Sequence, residues 1–183
     1  MEVAVAQGKI LYAGSSNFAG WHLATAQEAA RKRDYTGLVS EQSLYNLLAR
    51  TIELEVIPAA EANGIGIIPW SPLQGGLLGG VLRKERDSSR RTSGRAKDAL
   101  EANRPAIEAY EDFVEELGQE PGDVALAWLL AQPAVTATII GPRTREQLDA
   151  GIRALDVRLD EAALTRLDEI FPGHRPAPED YAW

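Results

Sequence analysis

The sequence predicts an α/β fold of parallel βα units, on three observations. Short apolar segments alternate with segments of helical periodicity four times along the chain. No G-x-G-x-x-G motif follows the first predicted strand, which argues against a six-stranded dinucleotide-binding fold. Polar residues stand where each apolar segment ends, as they do in a (β/α)8 TIM barrel. Such a barrel takes about 250 residues, so four units within 183 residues predict half of one, with four parallel strands.

The composition limits the classes of function. A chain that is 45% hydrophobic and 25% charged has enough apolar residues for one globular core. The net charge of −8 argues against nucleic-acid binding and agrees with a cytoplasmic protein. The absence of cysteine excludes disulfides and thiol catalysis, and the two histidines lack metal-ligand spacing. No apolar run reaches the roughly 18 residues of a membrane helix, and no signal peptide is recognisable.

The elements follow from periodicity, caps and breakers. Strands are predicted at residues 9–13, 38–44, 66–70 and 135–140. Helices are predicted at residues 21–33, 50–63 and 105–117, from Pro121, from Thr144 with Gln147 as a capping box, and after Asp160. Residues 1–171 are predicted to form a single half-barrel domain that binds a cofactor. Within it, residues 79–103 are predicted to be a long mobile loop, and residues 172–183 an irregular tail. The first residues read as the end of a helix, so we expect the chain to begin inside a longer fold.

The segment of residues 67–78, I-I-P-W-S-P-L-Q-G-G-L-L, organises the prediction. Pro72 fixes φ and lacks an N–H group, so the strand must end before it. Gly75 and Gly76 let backbone amides approach a ligand, and an anion is the usual guest of such a turn. Trp70 can present a flat aromatic face to a ring. A strand end, a turn and a core tryptophan explain this segment equally well when it is considered alone.

The other strand ends carry groups that suit a nicotinamide dinucleotide. Ser16, Asn17 and Gln42 offer hydroxyl and amide groups that match a carboxamide. Arg143 and Thr144 stand at a helix N-terminus, where free amides favour an extra phosphate. Each feature has an ordinary structural explanation, but their occurrence at four successive strand ends predicts a phosphorylated dinucleotide.

These motifs resemble those of the aldo-keto reductases. The matching stretches are G-K-I-L-Y-A-G-S-S-N-F, E-Q-S-L-Y-N, I-I-P-W-S-P-L-Q-G-G-L-L and I-I-G-P-R-T-R-E-Q-L, in the family's order from Gly8 to Leu155. The resemblance implies the C-terminal half of the barrel and NADP(H) as cofactor. The residues it implies for cofactor binding are Ser16, Asn17 and Gln42 at the carboxamide; Trp70 on the nicotinamide ring; Ser71, Pro72, Leu73, Gly75, Gly76 and Leu77 at the pyrophosphate; and Gly141, Arg143, Thr144 and Gln147 at the adenosine 2′-phosphate.

Two departures from the family pattern stand out. Gly151 occupies the position where the family often has an asparagine that contacts adenine. The family's catalytic tyrosine, aspartate, lysine and histidine belong to its first half, and no tyrosine here has a matching context: neither Tyr12, Tyr45 nor Tyr110. We therefore expect no catalytic residue in this chain.

Three hypotheses follow. The first is an NADPH-dependent reductase of aldehydes or ketones, in which another polypeptide supplies the tyrosine. The second is a non-catalytic NADP(H)-binding module, and the third a truncated remnant without function. A half-barrel has two open edges, so we expect it to pair with a second copy or with a complementary N-terminal half.

Overall fold

The computed structural model describes residues 1–87 and 95–176. Its strands are β1 (Ala13–Ser16), β2 (Leu38–Leu44) and β3 (Gly66–Trp70). Its α-helices are α1 (Glu2–Ala6), α2 (Gly20–Arg31), α3 (Val56–Asn63), α4 (Val81–Asp87), α5 (Arg95–Glu116), α6 (Pro121–Ala131), α7 (Arg145–Arg153) and α8 (Glu161–Ile170). Short 3-10 turns lie at Thr51–Glu53 and Gln74–Gly76.

The three strands form a parallel sheet in the order β1-β2-β3. In register, Ser16 lies beside Gln42 and Gln42 lies beside Ile68. Helices α2 and α3 cover one face of this sheet, where Leu23 of α2 and Ala60 of α3 pack with Ile67. Successive side chains of a strand point to opposite sides, so every second residue faces the helices and the residues between them face the other side of the sheet.

The predicted fourth strand at residues 135–140 is not formed, so the prediction of four strands is wrong on this point. The segment runs parallel to β3 with a single bridge between Ile67 and Val135. Thr136 donates its N–H to the Ile67 carbonyl at 2.9 Å, and Ile139 donates to the Pro69 carbonyl at 2.9 Å. Between these two bonds β3 advances by two residues and the opposite segment advances by three. A parallel ladder requires two residues on each side, so the ladder is broken here.

Three other predicted boundaries are corrected. The first strand begins at Ala13 instead of residue 9, and Tyr12 before it is 69% exposed. The predicted loop at residues 79–103 is helical from Val81 to Asp87, as α4, and from Arg95, as the start of α5, while residues 88–94 lie outside the described residues. Pro105 lies inside α5 and does not begin it, because the preceding turn is anchored in the core by buried Leu100.

Several local predictions are confirmed. A short helix, α1, precedes Gly8. Asp160 caps α8 by accepting the Ala163 N–H at 2.8 Å, and Thr144 caps α7 by accepting the Gln147 N–H at 3.3 Å. Residues 172–176 have no regular secondary structure, and residues 177–183 of the predicted tail lie outside the described part.

The largest apolar cluster lies among α5, α6 and α8. Trp128, Tyr110 and Leu167 are each at most 1% exposed at its centre. A half-buried ion pair closes the cluster on one side: Arg50 donates to Glu53 at 2.7 Å and to the Phe171 carbonyl at 2.7 Å. This network ties the chain after α8 to the turn that follows β2.

Candidate functional site

The turn after β1 is held against the end of β2 by backbone and side-chain hydrogen bonds. Asn17 donates its N–H to the Gln42 carbonyl at 3.0 Å, and the Ser16 hydroxyl donates to the same carbonyl at 3.0 Å. Asn17 also donates its Nδ2 to the Ser16 hydroxyl at 3.3 Å. Its φ of 56° is in the left-handed region, which asparagine tolerates better than most residues.

Trp70 at the end of β3 joins this group. Its indole Nε1 donates to the Asn17 Oδ1 at 3.1 Å. The structure therefore brings together four of the predicted residues, Ser16, Asn17, Gln42 and Trp70, along the C-terminal edge of the sheet. Asn17 therefore orients the indole ring through its side-chain oxygen, and its own backbone N–H is bonded to the Gln42 carbonyl.

This group retains unused hydrogen-bonding capacity. Each side-chain amide has two N–H donors and an oxygen with two lone pairs. Asn17 uses one donor on Ser16 and accepts once from Trp70. Ser16 and Asn17 are exposed and Gln42 is half-buried, so a carboxamide placed beside the indole would find both donors and acceptors.

The turn after β3 has an unusual backbone. Ser71, Gln74, Gly75 and Gly76 all have positive φ, with values of 53°, 45°, 64° and 101°. A side chain added at either glycine would meet nothing within 4 Å, so the space beside them is open. Where a turn passes from the right-handed to the left-handed region, as from Leu73 to Gln74, backbone amides can converge on one side and bind an anion.

The hydrogen bonds of this turn show which amides remain for a ligand. The Gly76 N–H is donated to the Leu73 carbonyl at 2.8 Å, and the Leu77 N–H to the Gln74 carbonyl at 3.3 Å. Among the described residues, the amides of Leu73 and Gly75 have no backbone acceptor. The side chains of Pro72 and Leu77 are buried and do not face the open space.

Two buried polar residues at this edge were missed by sequence reasoning as site residues. Asn46 is fully buried and donates its Nδ2 to the Ser71 carbonyl and to the Gln74 side chain, each at 2.9 Å. Glu41 is also fully buried and accepts from the turn after β1. The available signal was their polarity within an otherwise apolar, β-prone segment.

The last predicted group stands apart from the others. Gly141, Arg143, Thr144 and Gln147 are exposed, and their described side-chain bonds are local. The Arg143 N–H is donated to the Gln147 Oε1 at 2.7 Å, and the Gln147 N–H to the Thr144 hydroxyl. Because the preceding segment runs parallel to β3, it leads to the same edge of the sheet as Trp70.

Two of the tyrosines are committed to the core. The Tyr45 hydroxyl donates to Glu53 at 2.7 Å, and burial raises the pKa of this phenol far above its usual range. The Tyr110 hydroxyl donates to the Pro121 carbonyl, and burial raises its pKa in the same way. Neither phenol is available as a proton donor at the sheet edge.

Two classes of feature are missing from residues 1–87 and 95–176. No helix there is both long and apolar enough to cross a lipid bilayer. Nor does that part of the chain hold three or more histidine, cysteine or acidic side chains grouped to bind a metal ion.

A family model described as "Aldo/keto reductase family" matches residues 1–171. The chain is 52% identical, over all 183 of its residues, to the uncharacterized oxidoreductase YrpG of Bacillus subtilis, of which it covers 56%. It is 31% identical to a versiconal hemiacetal acetate reductase of Aspergillus parasiticus, with 93% of this chain and 53% of that protein aligned. It is 30% identical to an aryl-alcohol dehydrogenase (NADP+) of Phanerodontia chrysosporium, with 95% and 47% aligned. The chain thus spans about half the length of the curated relatives it matches.

Proposed function

The chain belongs to the aldo/keto reductase family, and on that premise we propose that it is the cofactor-binding half of an NADP(H)-dependent carbonyl reductase. In this proposal the described sheet is part of the C-terminal half of a (β/α)8 barrel. The whole protein would reduce an aldehyde or ketone. A cytoplasmic location, which agrees with the acidic composition, belongs to the same proposal.

The observation that carries the proposal is the convergence of Ser16, Asn17, Gln42 and Trp70 at one edge of the sheet. We infer that the first three hold the nicotinamide carboxamide, because their amides and hydroxyl offer donors and acceptors side by side. Trp70 would stack on the nicotinamide ring and fix which face is presented to the carbonyl. Ser71, Leu73 and Gly75 would receive the pyrophosphate, where left-handed backbone and open space coincide.

The adenosine end is proposed to lie at the start of α7. Arg143 and Thr144 precede this helix, and the dipole and free amides of a helix N-terminus favour a phosphate. Thr144 and Gln147 already satisfy part of that terminus. The Arg143 guanidinium, which is exposed, is therefore the group that we expect to select the 2′-phosphate of NADPH.

The chemistry requires more than this chain is proposed to carry. Bound NADPH would supply the hydride. The protein must also supply a proton to the carbonyl oxygen, and Tyr45 and Tyr110 are both engaged in the core. Tyr12 and Tyr35 precede β1 and β2, at the opposite edge of the sheet from the candidate site. We therefore propose that a second polypeptide or a preceding segment contributes the acid, and that this chain alone does not turn over substrate.

The same observation favours a second candidate, an NADP(H)-binding module without turnover. The two candidates differ in one respect: a partner that supplies the acid would restore turnover in the reductase and would not do so in the binding module. A further relative, 29% identical over 99% of this chain, is a probable voltage-gated potassium channel subunit beta of Arabidopsis thaliana.

The test is a titration of the purified chain with NADPH and NADH, followed by tryptophan fluorescence. Saturable quenching is expected, and it should disappear in Trp70→Phe if Trp70 is the stacking residue. Arg143→Ala should weaken NADPH binding roughly tenfold, as for the loss of a charge-assisted contact, and should leave NADH binding nearly unchanged. Gln42→Ala should weaken both cofactors alike, since both carry the same carboxamide.

Two results would contradict the proposal. A folded chain that binds neither nucleotide lacks the cofactor site. If Arg143→Ala lowers the affinities for NADPH and NADH equally, Arg143 does not select the 2′-phosphate, and the adenosine end binds elsewhere. Reconstitution with an N-terminal half that carries a tyrosine then separates the two candidates, because only the reductase gains turnover with an aldehyde.

A further inference from the structure

Glu41 is a carboxylate in the layer between the sheet and the helices. It lies in β2 immediately before Gln42 and is fully buried. In register it stands between Ser15 of β1 and Ile67 of β3, on the helix-covered face. Gln42 therefore projects toward the candidate site and Glu41 projects away from it.

Three donors converge on this carboxylate. Its Oε1 accepts the Ser43 hydroxyl at 2.7 Å and the Phe18 N–H at 3.1 Å, and its Oε2 accepts the Ser15 hydroxyl. The carboxyl group is thus the shared acceptor of two hydroxyl groups and one backbone N–H. Phe18 is also two residues before the start of α2, where the helix dipole favours a negative charge.

Two of these donors flank the residues of the candidate site. Ser15 and Phe18 stand on either side of Ser16 and Asn17. In the plane of the sheet, the Gln42 carbonyl accepts the Ser16 hydroxyl and the Asn17 N–H. A residue with a φ of 56° keeps that conformation only where its surroundings hold it. The side chain of Glu41, on the covered face, and the backbone of Gln42, in the plane of the sheet, therefore hold the turn together.

We propose that Glu41 is a positioning residue, which holds the turn after β1 so that Asn17 faces Trp70 and the nicotinamide end of the cofactor. The consequence for cofactor affinity rests on the proposed function. The consequence for the hydrogen bond between Asn17 and Trp70 does not, because that bond exists in the chain without a ligand.

The first readout needs no cofactor. In the chain labelled with 15N-tryptophan, the indole N–H resonance of Trp70 reports its bond to Asn17, and Trp70→Phe assigns it. Glu41→Ala should move or broaden this resonance, because Phe18 and Ser15 lose their acceptor. Glu41→Gln should leave it close to the wild-type position, since Oε1 can still accept from Phe18 and the Ser15 hydroxyl can turn to accept from the amide.

A matched control is available at the other end of β2. Gln27 is also buried, and its Oε1 accepts the Leu38 N–H at 2.7 Å. Gln27→Ala removes an acceptor from a buried backbone amide, as Glu41→Ala does, but far from the strand ends. It should lower stability and leave the Trp70 resonance and NADPH affinity unchanged. Glu41→Ala should lower NADPH affinity roughly tenfold, as expected when the carboxamide contacts lose alignment.

The outcomes separate the two claims. An unchanged Trp70 resonance in folded Glu41→Ala, or an equal shift in Gln27→Ala, overturns the positioning role. If Glu41→Ala does not fold, Ser15→Ala removes one of the two turn contacts and should shift the resonance in part; no shift there also overturns the role. If the wild-type chain binds no NADPH, the proposed function fails while the resonance still decides the role of Glu41.

Discussion

The two faces of the sheet differ although the same three strands form both. On the face that α2 and α3 cover, Glu41, Ser43 and Ile67 are at most 2% exposed. On the other face, Ser16 is exposed, and Gln42 and Trp70 are half-buried. Residues that stabilise the fold and residues proposed to bind the cofactor are therefore neighbours in sequence. Their roles alternate because successive side chains of a strand point to opposite sides.

The open face also carries apolar groups. Leu44 and Ile68 lie on it and remain half-buried among the described residues. In a closed barrel, inward-facing side chains such as these would be packed in layers. If a second copy or a complementary half binds in solution, we therefore expect it to cover this open face.

The largest expected effect compares two adjacent isoleucines. Ile67→Ala removes a fully buried side chain from the cluster with Leu23 and Ala60, and should cost about 2–5 kcal/mol of the free energy of unfolding. Ile68→Ala, on the open face, should cost less than about 1 kcal/mol. Urea denaturation of both variants at equal chain concentration measures the difference.

Equal losses for the two variants would break the comparison, because they would show that the open face is covered. Repeating the Ile68→Ala measurement over a range of chain concentrations would identify a second copy as the cover. In that case the cost of the substitution should grow with concentration.

A smaller effect is expected for two serines of β2. Ser43→Ala removes a buried hydroxyl that donates to Glu41, and a hydrogen bond to a charged group is worth about 1.5–3 kcal/mol. Ser40→Ala lies on the open face, and its unfolding free energy should stay within about 0.5 kcal/mol of the wild type. Thermal or urea unfolding decides between them, and a Ser40→Ala loss as large as that of Ser43→Ala would contradict the assignment of the faces.

The smallest effect concerns α7, which packs against α6. Thr144→Ala removes the hydroxyl that accepts the Gln147 N–H, at a typical cost of about 1 kcal/mol for a lost helix cap. Thr144→Ser should keep most of that contribution because it retains the hydroxyl. Circular dichroism during urea unfolding measures both, and identical curves for Thr144→Ala and the wild type would show that the cap does not stabilise the helix.

Much of the local structure was predictable because its causes are local. Asp160 and Thr144 were identified as caps from residue type and spacing, and both accept the expected N–H groups. The strand that ends at Trp70 was bounded by Pro72, whose ring geometry ends a strand in any context. The resemblance to the aldo-keto reductases, drawn from four motifs, is confirmed by the family match.

The errors occurred where long-range pairing decides. Residues 135–140 have strong β-propensity, yet their bonds to β3 lose the regular repeat after Thr136. Residues 79–103 look like a polar loop, but α4 and the start of α5 lie within them, and Leu100 reaches the core. Propensity alone cannot anticipate either result, because both depend on which neighbour the segment meets.

The sequence by itself determined the parallel βα organisation, the helix caps, the glycine turn and the family. These depend on periodicity, on backbone restrictions of single residues and on short motifs. Only the tertiary structure decided that Trp70 is oriented by Asn17, that Asn46 supports the turn after β3, and that Glu41 faces away from the site it adjoins. Each of these depends on the register between strands, and a shift of one residue would exchange the covered and open faces.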